Sequence, residues 1–183
     1  EKQIRAGIAE VLLNQIFYGS SVGSQIKNTT LFTMPDWYKN GLLSYLSEEW
    51  STEIDNRVRD GIITGRFEKF NRLEGEEALY AGHALWKFVA DKYGASAITD
   101  IVAMTQISRS VENGFMYVVG VSFKDLNLNC IDYFRTMYES EEAGRATPEA
   151  QDLKRVRKDR VYSRYKISPD GSMMLYVDYD DGK

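Results

Sequence analysis

The chain has 183 residues, 43% hydrophobic, 27% charged and 13% aromatic, with a formal net charge of −4. That length suits one domain of ordinary size, or one domain and a piece of another, and the aromatic content excludes a disordered chain, which lacks the apolar surface to offset its ordering entropy. The negative balance excludes a general electrostatic pull towards nucleic acid, and no apolar run has the length needed to span a bilayer.

In chain order, Ile4, Ile8, Val11, Leu12 and Phe17 recur near helical spacing, which predicts a helix over 2–17 ended at Gly19. Its first residues carry acids and no cleavage-like segment, so it is not a signal peptide. Both ends are expected to continue into longer sequence. Residues 20–32 are polar and read as loop. Thr33 as N-cap, Pro35 in the first turn and Asp36 start a second helix, with Trp37, Leu42, Tyr45 and Leu46 on one face. A short helix over 50–60 is expected to break at Gly61 and Gly65, and 67–73 has no clear type. The clearest helix runs over 76–92, with Leu79, Ala84, Leu85, Phe88 and Val89 as its stripe and Gly94 closing it. Helices follow over 95–105 and 110–119, then one over 123–138 capped by Ser122.

Residues 140–160 are charged, small and Pro-containing, and read as a linker; the basic run 154–160 within it reads as solvated. Alternating strands over 161–167 and 172–178 flank Ser168-Pro169-Asp170-Gly171, a strong turn signal, which predicts a β-hairpin. Two strands alone are marginal in water, so the hairpin is expected to pack on other structure.

Little of this supports catalysis. A zinc hydrolase of HExxH type needs two His one helical turn apart and a Glu base. The sequence has one His, His83, read as a packed or hydrogen-bonded helix residue, and one Cys, Cys130, read as a buried structural thiol. No phosphate-binding loop and no GxSxG elbow occurs. The acids Glu48, Glu49 and 139–142 read as solvated, and Asp178, Asp180 and Asp181 as exposed turn acids.

Three segments carry a resemblance. Pro35-Asp36-Trp37-Tyr38-Lys39-Asn40-Gly41-Leu42-Leu43-Ser44-Tyr45-Leu46 resembles the P-x-W-x-x-E-G-x-x-x-Y-x pattern of the peptidase MA-like gluzincins. Ala78-Leu79-Tyr80-Ala81-Gly82-His83-Ala84-Leu85, running on to Tyr93-Gly94, is similar to that family's later helix. Gly120-Val121-Ser122-Phe123 is similar to the start of its last helix. The resemblance covers about residues 3–140. On its register the opening helix stands where the family carries HExxH. Ala6 then stands at the first His, Gly7 at the general base, Glu10 at the second His and Asn40 at the third ligand, a Glu in the family. The segment 166–176 resembles the S-P-D-G-x-x-L-x-Y of TolB-type propeller blades.

The resemblance implies a mainly α fold: a helical subdomain of gluzincin type over 1–142, a linker over 143–160, and a β-hairpin over 161–183 that opens a TolB-like propeller. It implies a pseudo-peptidase with no catalytic residues, no metal and no cofactor. Such a domain would bind a protein or peptide partner of the bacterial cell envelope, periplasmic or outer-membrane associated. The old cleft, lined by Trp37, Tyr38, Asn40 and Tyr45, would be its groove. Two alternatives stand beside this: a fragment of an active metallohydrolase whose catalytic residues lie outside the chain, and a purely structural helical adaptor.

Overall fold

The structure, a computed structural model, describes residues 2–19, 34–144 and 160–180. It is mainly helical with one short antiparallel hairpin, and divides into two compact units, Glu1–Gly144 and Arg145–Lys183. The expected loop over 20–32, the Thr33 cap, the body of the linker (145–159) and Asp181 lie outside the described residues.

In the first unit α1 is Lys2–Tyr18, α2 Asp36–Ser47 and α3 Thr52–Ile63. A 3₁₀ segment, Arg66–Arg72, follows. Then come α4 (Gly75–Tyr93), α5 (Ser96–Ser108), α6 (Val111–Val119) and α7 (Phe123–Glu142). Pro35 sits at the N-cap of α2, not within its first turn. Its extended ψ of 147° places it outside the helix, and its carbonyl accepts from the amides of Tyr38 and Lys39. Ser51, Ser110 and Ser122 cap α3, α6 and α7 through their hydroxyls, each satisfying one amide that the first turn leaves open.

Two breaks differ from expectation. Gly61 does not end α3: the helix runs through it to Ile63, because the missing Cβ makes room for the Phe67 ring, which would lie 2.4 Å away. The chain turns at Gly65, the other expected break, whose φ of +72° favours glycine. The acids at 139–142 are the last turn of α7, where Arg59 pairs with Glu141 and Glu142.

The core is aromatic and centres on Trp37. Its ring stacks on Phe123 (4.7 Å between centroids, 16° between planes) and meets Phe70 edge-on at 5.0 Å. Tyr38 meets Trp86 edge-on at 5.1 Å, and Trp86 Nε1 donates to the Tyr38 carbonyl at 3.2 Å. Each such ring contributes on the order of 1.5–3 kcal/mol by leaving water. α4 is buried on most sides, beyond the expected stripe, and Leu79 is only half-buried. α2 and α4 touch backbone to backbone: a Cβ on Gly41 would lie 2.4 Å from Gly82 Cα, and one on Gly82 would lie 2.0 Å from the Trp37 carbonyl oxygen. Cys130 is buried, and desolvation pushes its thiol pKa far up, so it behaves as an inert packing residue.

In the second unit β1 (Arg160–Ile167) pairs antiparallel with β2 (Met174–Asp180). A bulge falls between Ser163 and Lys166, where Arg164 has φ 52°. Asp170 fixes the turn by accepting from the Ser168 and Ser172 hydroxyls at 2.5 and 2.7 Å. Those bonds, Ser168 first, hold its carboxyl down at about 2. Among the described residues no helix is long and apolar enough to cross a membrane.

Candidate functional site

The residues singled out from the sequence meet where α1 crosses α2, and only some of them face one another. Ala6 and Asn40 line one small cavity of about 260 Å³, together with Lys2, Ser44, Ser47 and Glu48. Glu10 lies one turn further along α1, and its carboxylate accepts from Lys39 Nζ at 3.2 Å. Gly7 faces open space: beyond the backbone of its own helix, no atom lies within 4 Å of where its Cβ would be. The cavity therefore offers an amide, two hydroxyls, an ammonium and one carboxylate. Zinc sites need at least three protein ligands drawn from His, Cys, Asp or Glu, and the described residues contain no group of three or more that would hold a metal.

The expected groove is corrected at two positions. Trp37 and Tyr38 are buried, so neither side chain is open to a partner. Trp37 Nε1 donates to Asn71 Oδ1 at 3.2 Å. Burial raises the Tyr38 pKa well above its ordinary value. The Thr105 hydroxyl is near enough to lower it somewhat, yet the two make no hydrogen bond of normal geometry, and both oxygens are buried without a partner. The face of α2 that bears Trp37 packs into the core because Gly41 lets α4 approach it. Asn40 and Tyr45 are half-buried.

A polar knot ties α2 to α4. Ser44 Oγ donates to Glu48 Oε1 at 3.2 Å and lies 2.9 Å from His83 Nδ1. A hydroxyl has one proton, so Ser44 accepts from His83, which fixes the neutral ring in its Nδ1–H form. The Tyr45 and Trp50 rings meet His83 edge-on at 5.7 and 5.6 Å. Desolvation lowers the His83 pKa to about 4, against an opposing pull from Glu48 and with smaller help from Lys87 and Lys2. Glu48 is not a solvated acid, as its sequence context suggested, but is largely covered and paired with Lys2. Glu48 bonds Ser44 and not the imidazole, so the carboxylate–imidazole order of a catalytic triad is absent. Sequence reasoning missed this knot. Gly41, Ser44 and Ser47, spaced by three on one helix, were the available signal, since small residues in a row admit a close neighbour.

A further open feature, beside α1, is apolar. α1 buries only Leu13 and Phe17. Of the residues whose spacing predicted the helix only Phe17 is buried, while Ile4 is 68% exposed, Ile8 58%, Val11 65% and Leu12 52%. α1 is apolar round most of its circumference, so the pattern cannot single out the packed side, whereas a helix of that character is ordinarily covered all round. A trough of about 410 Å³ runs beside it, lined by Ile8, Leu12, Ile16, Leu46, Ile98 and Val102. Leu46, expected to share one face of α2 with Trp37 and Leu42, is an exposed part of this trough while those two are buried.

No family model matches this chain, and no curated protein or solved structure matches it.

Proposed function

We propose that this chain is a non-catalytic, gluzincin-like binding domain of a bacterial cell-envelope protein, periplasmic or outer-membrane associated, which takes a protein or peptide partner on the exposed apolar face of α1. The observation that carries this reading is the open face itself. Ile8, Leu12 and Ile16 on α1, Leu46 on α2 and Ile98 and Val102 on α5 line one apolar trough. A contiguous apolar surface on a folded domain is costly in water and marks a contact site. The α1–α2 seam supports the non-catalytic half of the reading. The carboxylate of Glu10 is already neutralised by Lys39, and Ala6, Gly7 and Asn40 bring no base and no anionic ligand. The TolB-like reading of the second unit is part of the same proposal. Its support is the Ser168–Gly171 turn and the apolar residues that both faces of the hairpin carry, with Leu175 and Val177 on one and Ile167 on the other.

An environment-sensitive hydrophobic dye tests the face. The folded wild-type chain is expected to bind it saturably, and Ile8→Asp and Leu12→Asp to abolish binding while circular dichroism and Tm stay unchanged. Unfolding of both variants would mean that the face is core, and undiminished dye binding would mean that the contact surface lies elsewhere.

A further inference from the structure

On the open face of α1, Ile4, Ile8, Leu12 and Ile16 follow one another at every fourth residue, and all four are exposed. Residues four apart form one of the ridges by which helices interlock, each ridge entering a groove of its partner. The row beside this ridge contains Gly7 and Val11, and at Gly7 no side chain fills the space. The face therefore carries both a ridge and a groove. The ridge also reads the same in both directions along the helix. Turned end for end about residue 10, Ile4 takes the place of Ile16 and Ile8 that of Leu12. Glu10, at the point of reversal, is turned towards α2 and pairs with Lys39, so it sets no charge in the middle of the face.

We infer that the occupant of this face is a second copy of the chain, its α1 laid antiparallel on the first about a two-fold axis near residue 10. The inference rests on the reading of α1 as a contact face and names the partner it takes. Ile4 then packs on the partner's Ile16, and Ile8 on the partner's Leu12. Such a contact is isologous, the commonest arrangement of soluble oligomers. Charge decides the direction. Arg5 is the one charged residue lining the trough. Antiparallel pairing sets its two copies about 15 Å apart along the axis, at 1.5 Å per residue, beyond the screening length at physiological salt. A parallel pair would bring them side by side. The area suffices for a weak dimer. A fully exposed Ile or Leu presents roughly 200 Å², so Ile4, Ile8, Val11, Leu12, Ile16 and Leu46 offer about 600 Å² per copy and about 1,200 Å² per pair, the lower bound for a specific interface.

Sedimentation equilibrium of the full chain tests the pairing. The mass is expected to rise from 21.0 kDa towards twice that over the micromolar range, and the hydrophobic dye bound per chain to fall in step. Ile8→Asp sets two carboxylates in the contact and should weaken the pair more than about tenfold. Leu175→Asp, on the exposed hairpin, should leave it intact. Disulfide trapping reads the direction without adding a charge. A mixture of Ile4→Cys and Ile16→Cys should cross-link under mild oxidation. Ile4→Cys alone should not, since its two copies lie about 18 Å apart along the axis, outside disulfide reach. A chain that stays at 21.0 kDa at every concentration yet binds the dye overturns the second copy and leaves α1 a contact face for another partner. A monomer that binds no dye overturns both readings. A dimer that survives Ile8→Asp, or that Ile4→Cys alone cross-links, overturns the antiparallel α1 contact.

Discussion

Acidification should destabilise this fold through His83 before its carboxylates titrate. The ring is 1% exposed and held neutral between Tyr45 and Trp50, with a pKa lowered from 6.5 to about 4 by desolvation. In the unfolded chain the same ring takes up a proton near 6.5. Between these two values the unfolded state binds more protons than the folded one, so stability rises with pH across the window. The contribution is fully present above 6.5 and is lost as pH falls towards 4. Going from pH 7.5 to 5 should therefore cost about 2 kcal/mol, at 1.36 kcal/mol for each pH unit below the unfolded value. Urea unfolding at both pH values, for the wild type and His83→Gln, isolates the effect, because the remaining groups are common to both proteins. The wild type should lose about 2 kcal/mol more than the variant. Parallel losses would mean that the folded ring takes up a proton as readily as the unfolded one, and the neutral Ser44–His83 knot would be wrong.

Other expectations concern the α2–α4 contact and its neighbours. Gly82→Ala would set a methyl 2.0 Å from the Trp37 carbonyl, with no flexible group to give way. It should cost about 3 kcal/mol or prevent folding, at the upper end of overpacking losses; a loss below about 1 kcal/mol by denaturant titration would mean the helices lie further apart. Tyr38→Phe removes a buried hydroxyl that has no partner, so stability should be unchanged or raised by about 1 kcal/mol. A clear loss would reveal a bond to Thr105.

Much of the fold was legible because periodicity and punctuation agreed. α4 follows from its apolar run and Gly94, and α7 from Ser122 and the spacing of Leu126, Ile131 and Phe134. The hairpin follows from Ser168-Pro169-Asp170-Gly171. The errors arose where local signals compete with packing. Gly61 reads as a breaker, yet it is the residue that admits Phe67. The spacing in α1 predicts a helix but not its packed side: its apolar residues cover most of its circumference and the neighbours alone decide that Leu13 and Phe17 are the buried pair. For the site, Ala6 and Asn40 line one cavity because α1 packs against α2, a contact that neither helix marks in its own sequence. The burial of Trp37 and Tyr38 was not legible either, because it depends on the approach of α4 at Gly41 and Gly82, which leaves no mark in either helix taken alone.

The central claim is that the seam of α1 and α2 carries no catalytic metal. Equilibrium dialysis of the metal-stripped chain against Zn²⁺, followed by elemental analysis, tests it most directly. The account predicts substoichiometric, weak uptake that Glu10→Ala leaves unchanged. One tightly held Zn²⁺ per chain, lost on Glu10→Ala, would contradict it.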